Sequence, residues 1–417
     1  MARVPTKRLP VRLERGPDGA VICRPRYAVW ETTLRCDQRC RFCGTRAGAP
    51  GENELNTEEA LDVISQLAEL GVGEVAMHGG EAYLRKDWVT LIRAVRDAGM
   101  SPTLVTGGRN ITASNAQQVA DAGLAGVAVS IDGTQETHDA LRGVDGSFES
   151  ARQAVTHLQN AGVAVGVNSQ INRRNYRELP QLAEMICSMG LYGWQVQLMV
   201  PMGRASEAQD LWLEPYDLLE VIPLIAHARP QCDAAGVKLW PGNNVGYFGP
   251  FERVLRHERS RFGHSAGCGG GVISIGIEAN GDVKACSAMA SNGFVGGNVR
   301  NTRLSEIWAH APELRFSRDF VLDDLWGECR SCYYARYCKG GCIWTAATVL
   351  GRRGNNPYCH HRALELLRRG KRERLRQVEE APGHVRDQGR FELIVEDAPR
   401  DWIASLPALP EATAAAR

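Results

Sequence analysis

Several absences bound the chain before any motif is read. Its N-terminal stretch, Met1 to Arg15, is basic, contains Pro5 and Pro10 and has no apolar core, which excludes a secretory signal. Nowhere do about 18 apolar residues follow one another, which excludes a membrane-spanning helix. Net charge is only +1 over 417 residues, too little to draw the chain to nucleic acid or to an anionic membrane. The expectation is a cytoplasmic protein with neither as a partner. Cysteine, by contrast, is abundant: thirteen thiols in a chain without a signal read as metal or redox ligands rather than disulfides. The length suits about two or three domains, and 44% hydrophobic residues are ordinary for packed cores.

A further lack is local. Cys36-Asp37-Gln38-Arg39-Cys40-Arg41-Phe42-Cys43 puts three thiols into one loop after the largely apolar run Tyr27–Leu34, yet the next cysteine is Cys187. A structural zinc site or an ordinary four-iron cluster wants four ligands. Three thiolates on a four-iron cluster leave one iron open, as a metal centre that does chemistry requires. Half a zinc site and three unrelated buried thiols are the alternatives. The C-x3-C-x2-C spacing, with the aromatic Phe42 before its last cysteine, resembles the signature of the radical S-adenosylmethionine (SAM) enzymes. The resemblance implies that Cys36, Cys40 and Cys43 hold a [4Fe-4S] cluster whose open iron chelates SAM, with Phe42 beside the cofactor.

From Tyr27 to about Arg204 one unit recurs: an amphipathic helix, a glycine, then a short β-branched strand. Gly71, Gly99, Gly123, Gly162 and Gly190 fit the left-handed position that ends a helix. Strands are expected at 27–34, 74–78, 103–106, 126–131, 164–171 and 193–200, and Asn56 with Glu59 makes a capping-box pattern. Such alternation means a parallel sheet covered by helices, in an open barrel or a doubly wound sheet, with ligands at the C-terminal strand ends. The resemblance selects an α/β partial (β/α)6 TIM-like barrel.

At those ends lie the remaining candidates. After the second strand comes His78-Gly79-Gly80-Glu81, where the family binds the amino group of SAM, so Gly79, Gly80 and Glu81 carry that role over. The third strand ends Thr106-Gly107-Gly108, where the family usually has Thr-Asn-Gly. The fourth ends Ser130-Ile131-Asp132-Gly133, with Arg142 downstream. In related peptide-modifying enzymes these positions lie near the ribose and carboxylate of SAM, and an arginine forks well onto a carboxylate. The amides Gln195 and Gln197 share one strand face and are candidates for the substrate cavity.

A second cysteine constellation reads Cys268, Gly281, Cys286, then Cys329-x2-Cys332-x5-Cys338-x3-Cys342, then Cys359. A zinc knuckle with spare thiols is the bland reading. The full pattern looks like the SPASM extension, which holds two auxiliary iron–sulfur clusters. Carried over, Cys329, Cys332, Cys338 and Cys359 take the outer cluster, and Cys268, Cys286 and Cys342 the inner one. Three [4Fe-4S] clusters are thereby implied. The inner site lacks a fourth cysteine and leaves an open iron or a ligand such as His264 or Asp282. Cys187 and Cys232 have no cysteine partners close in sequence and read as structural.

Five segments are expected: an N-terminal arm (1–26) with a possible hairpin, the radical SAM barrel (27–204), a bridging region (205–262), the SPASM domain (263–362), and a C-terminal helix with a mobile tail (363–417). Within the last, Ala363 to Glu380 reads as a solvated helix and Phe391–Val395 as a possible strand. The resemblance implies reductive cleavage of SAM to a 5′-deoxyadenosyl radical and modification of a ribosomally made precursor peptide, by a thioether or C–C crosslink. Formylglycine formation in a sulfatase, attack on a small molecule, and a non-catalytic electron carrier are the alternatives. A flavodoxin or ferredoxin is expected as electron donor. With 26 residues ahead of the first strand, too few for a winged-helix module, leader recognition falls to another surface or a separate protein.

Overall fold

The computed structural model describes residues 14–15, 21–256 and 267–407. The expected hairpin is present as strands β1 (Glu14–Arg15) and β2 (Val21–Ile22), paired antiparallel. The repeating units follow: β3 (Tyr27–Glu31), α1 (Thr57–Glu69), β4 (Glu74–His78), α2 (Trp88–Asp97), β5 (Ser101–Thr106), α3 (Ala113–Ala122), β6 (Gly126–Ser130), α4 (Gln135–Arg142), α5 (Ser147–Asn160), β7 (Val165–Ile171), α6 (Leu179–Ser188) and β8 (Gly193–Leu198). All five expected glycine stops have positive φ. α1 starts on the Asn56–Glu59 capping box, whereas Asp87, ahead of α2, turns to Arg85 and Thr57 instead. Leu91, Ile92 and Val95 show why α2 forms where it does: they share one face and are fully buried, while Arg93 and Arg96 face outward.

β3 to β8 pair in parallel in unbroken chain order. A doubly wound sheet reverses its order at a switch point; this one does not. Right-handed crossovers that always step the same way put every helix on one face, so the winding is that of a barrel wall. Trp30, Met77, Leu104, Val127, Val129 and Trp194 pack under the helices. The alternate residues face the other side, where the site must lie.

The sheet extends beyond the six units at both ends. In the bridging region, Pro215–Asp217 forms a 3-10 turn ahead of helix α7 (Leu218–Ala234), and β9 (Lys238–Pro241) adds a parallel strand beside β8. At the opposite edge, β10 (Ser274–Ile277) runs parallel to β3. It turns at Gly281 into β11 (Asp282–Lys284), which pairs with β12 (Val295–Asn298). The cysteine-rich region is therefore hydrogen-bonded into the same ten-stranded sheet.

The C-terminal expectation needs correction. Helix runs over His360–Arg368 and again over Arg400–Ser405; between them Gly370 turns the chain, and β13 (Lys371–Glu379) pairs antiparallel with β14 (Arg390–Asp397). The charge-rich segment read as a solvated helix is a strand. Leu375 and Glu373 point inward at alternate positions, and Arg372, Arg374 and Arg376 meet Glu396 and Glu392 across the ladder. The expected strand 391–395 lies inside β14. Of the expected mobile tail, residues 408–417 lie outside the described residues, as does His264. Among the described residues no helix is long and apolar enough to cross a membrane.

Candidate functional site

The Cys36 loop leaves the C-terminal end of β3 and is held from three sides. On one side, Gly80 N donates to Thr33 O (2.7 Å) and Glu81 N to Arg35 O (2.7 Å). A Cβ at Gly79 would stand 2.3 Å from Thr33 O, and one at Gly80 2.2 Å from Arg35 O. Both glycines are thus required for the chain after β4 to run against the cysteine loop. On a second side, the Asp37 carboxylate accepts from Tyr83 Oη (2.9 Å) and Asn110 Nδ2 (2.5 Å), while Arg109 donates to Asp37 O. On the third, Arg204 Nε donates to Cys40 O (2.9 Å) and its Nη1 to Ala47 O (3.0 Å). Below the loop, Glu54 accepts from Thr33 Oγ1 (2.9 Å), Leu34 N (2.7 Å) and Gly51 N (2.8 Å). Sequence reasoning missed Glu54, Tyr83 and Arg204, which sit in no motif, and Asp37, visible only as a spacer between two cysteines; each acts across a long stretch of chain.

Burial pushes the Cys36 thiol up to about 12 and the Cys40 thiol to about 11. Thiolates here need a cation, and bound iron supplies one, so the donor set fits an iron–sulfur cluster. Beside them Glu81 is 3% exposed, accepting from Thr106 Oγ1 (2.6 Å) and Gly107 N (2.6 Å). Burial, opposed by those two hydrogen bonds, raises its pKa to about 7. Gly107, where Asn is usual, has a local cause: a Cβ there would lie 2.5 Å from the buried Gln38 amide, which occupies the space.

Arg142 is buried against the loop. It is forked onto Asp132 (2.8 and 2.5 Å), lies 5.1 Å over the Phe42 ring, and points Nη1 at Gln38 Oε1 (3.4 Å) and Cys40 Sγ (3.7 Å). Its pKa is raised: burial works against the charge, but Asp132 and Cys40 outweigh it. Ser130 ends β6 on the inner face, 9% exposed and in register with Asn168.

The thiols of the second constellation lie in two places. Cys329, Cys332, Cys338 and Cys359 line one pocket with Tyr247, Phe248, Tyr334 and His361. Burial pushes the Cys359 thiol up to about 12. Cys268, Cys286 and Cys342 form the other group: a Cβ on Gly270 would lie 3.4 Å from Cys268 Sγ and 3.6 Å from Cys286 Cβ, and Cys342 acts electrostatically on both other thiols. The buried Cys342 thiol is raised by burial, while hydrogen bonds from Thr345 and Asn243 hold it down. Asp282, a candidate fourth ligand, instead turns its carboxylate oxygens to Asn280 and Asn298 (2.8 Å each) in the hairpin.

Across the inner face runs a polar row. Glu278, Glu31 and His78 stand side by side at the ends of β10, β3 and β4, and Ser130, Asn168, Gln170, Gln195 and Gln197 continue it on β6 to β8. The amides Gln195 and Gln197 do share this face. Arg386, 2% exposed, reaches in from the loop between β13 and β14 and pairs with Glu31 and with Glu278 (2.5 Å), which also holds the buried Lys284 (2.5 Å). The next residue, Asp387, binds Arg46 Nε (2.7 Å) just past the cysteine loop. Cys187 and Cys232 come together at 3.7 Å between α6 and α7, away from the other thiols.

Comparisons with known proteins bear on the family and the fold. The radical SAM superfamily model matches residues 30–186, and the SPASM model, an iron–sulfur cluster-binding domain, matches 268–333. An AdoMet-dependent heme synthase of Oleidesulfovibrio alaskensis is 31% identical over 80% of this chain and 86% of its own. The mycofactocin maturase MftC of Mycobacterium tuberculosis is 29% identical over 81% and 82%. The crystal structure of Streptococcus suis SuiB bound to S-adenosylmethionine superposes with a TM-score of 0.63 at 18% identity, covering 81% of this chain and 76% of that one.

Proposed function

This chain belongs to the radical SAM superfamily and carries a SPASM domain, and on that premise we propose that it modifies a ribosomally made peptide by radical hydrogen abstraction, closing a thioether or C–C crosslink. The observation that carries the catalytic part is the sorting of ten cysteines from distant segments into three separate groups. In this reading Cys36, Cys40 and Cys43 hold the SAM-binding cluster, and the other two groups hold auxiliary clusters. When bound, the first cluster and SAM supply a 5′-deoxyadenosyl radical. The chain's own residues do the rest. Gly79 and Gly80 let Glu81 reach the loop, where its carboxylate takes the ammonium of SAM. Asp132 holds Arg142 over Phe42 with one guanidinium nitrogen facing the loop, where it would take the carboxylate of SAM, and Ser130 would serve the ribose. The row of amides from Asn168 to Gln197 offers hydrogen-bond partners to a peptide backbone. The Arg386 strap helps keep water out, as a radical site requires.

The mycofactocin maturase relative supports a peptide substrate. A second reading, a tetrapyrrole substrate, is favoured by the heme synthase relative at 31% identity. The test is to purify the protein without oxygen, count iron and sulfide, and add SAM with dithionite. About twelve irons per chain, with release of 5′-deoxyadenosine, support three four-iron clusters and the radical enzyme; about eight remove the inner cluster. Zinc with intact SAM sinks the reading. Mass spectrometry of a co-incubated precursor peptide, against an iron-porphyrin carboxylate, separates the two substrates.

A further inference from the structure

The most exposed large hydrophobic side chains among the described residues are Tyr333 at 87%, Tyr337 at 60% and Val321 at 57%. All three lie on one short stretch around the thiols Cys329, Cys332 and Cys338. Exposed aromatics gathered in this way mark a binding surface rather than the ordinary scatter of apolar residues. The same surface is basic. Arg330, Arg336, Lys339, Arg352, Arg353 and Arg369 stand against Asp323, Asp324 and Glu328, six cations to three carboxylates in a chain whose net charge is +1.

The patch is contiguous with the pocket beneath it. Tyr334 stacks on Phe248 at 4.3 Å and meets His361 edge-on at 5.1 Å, and these three rings line the cavity that holds the four thiols. Lys339, one residue past Cys338, lies 5.5 Å over Phe320, and Arg352 lies 5.4 Å over Trp326. Arg330 is engaged by Asp323 and Arg369 by Glu328, which leaves Arg336, Lys339, Arg352 and Arg353 against Asp324 alone.

We propose that this face is the docking surface for an acidic one-electron carrier protein of the flavodoxin or ferredoxin type. Tyr333 and Tyr337 supply the apolar centre of the contact, and the surplus cations supply the charge complement. The proposal rests on the reading that Cys329, Cys332, Cys338 and Cys359 hold an iron–sulfur cluster. One electron leaves the reduced carrier and the chain gains it there; no atoms move.

The test uses the iron-loaded full chain with a flavodoxin as probe. Its dissociation constant is measured by calorimetry at low and at about 0.15 M salt, for the wild type, R336E and the R352E/R353E pair. Expected are binding that weakens with salt in the wild type, and at least about tenfold weaker binding with a shallower salt response in both variants. Release of 5′-deoxyadenosine driven by reduced flavodoxin falls in parallel, while release driven by dithionite and the iron count stay at wild-type values. Unchanged affinity in both variants, or no binding of flavodoxin or a ferredoxin to the wild type, overturns the proposal. Missing iron, or no dithionite-driven cleavage by the wild type, refutes the cluster reading instead, and the affinities still decide the docking face.

Discussion

Replacing Glu81 by Gln removes one charge with little change of shape, and its effect on SAM binding can be worked from the site. Burial takes the carboxyl from 4.5 to about 7, so holding it ionised in the SAM-free protein costs about 3 kcal/mol. The sign follows: this acid contributes to stability while protonated, below about pH 4.5, and the contribution is lost as pH rises through about 7. A bound ammonium recovers that cost by favouring the ionised form. SAM affinity should therefore fall about tenfold per pH unit below pH 7, as fewer molecules carry the charge. The Gln variant should lose this slope. At pH 8 it should bind roughly 2–5 kcal/mol more weakly, at least about thirtyfold, because an ammonium is left without its carboxylate. Equilibrium dialysis of SAM in the absence of oxygen, from pH 5.5 to 8 and with iron counted in parallel, reads both effects. A flat wild-type profile, or a variant that keeps the slope, refutes the assignment of Glu81 to the ammonium.

Three further outcomes follow from the geometry. Gly107→Asn drives a side chain into the Gln38 amide, 2.5 Å from the new Cβ; it should cost about 1–3 kcal/mol, and Gln38→Ala in the same chain should restore most of the loss in a thermal melt. Arg386→Ala leaves Glu31 and Glu278 buried without their guanidinium and should destabilise the chain by roughly 3–5 kcal/mol in urea titration, with Arg386→Lys recovering part. Cys338→Ala should lower the iron count by about four per chain, whereas Cys187→Ser, at a thiol that meets Cys232, should leave the count unchanged.

The local parts of the fold were legible. Helix stops at glycine, the Asn56–Glu59 capping box and the β-branched strands are written in a few adjacent residues, and they appear where the pattern puts them. The cysteine motifs were legible for the same reason. What failed was non-local. Lys371–Glu379 carries charges that suit a helix as well as a strand. The deciding interactions come from Asp397, Glu396 and Glu392, which reach it only once the chain has turned back. Arg386 gives no hint in sequence of its burial between Glu31, more than 350 residues away, and Glu278, more than 100 away. Gln38 was visible only as a spacer between two cysteines, yet it explains why Gly107 replaces Asn.

The pairing of β10 with β3 has a consequence for how this protein can be divided. A module joined by a linker can be cut away and leave its neighbour intact. Here the cysteine-rich region supplies the strand that covers the edge of β3, the strand whose end carries the Cys36 loop. Removing it would bare a row of unpaired N–H and C=O groups beside the Cys36 loop, an invitation to aggregate. The cysteine-rich region is therefore not an interchangeable cassette: any recombination that respects this sheet must exchange β3 and β10 together.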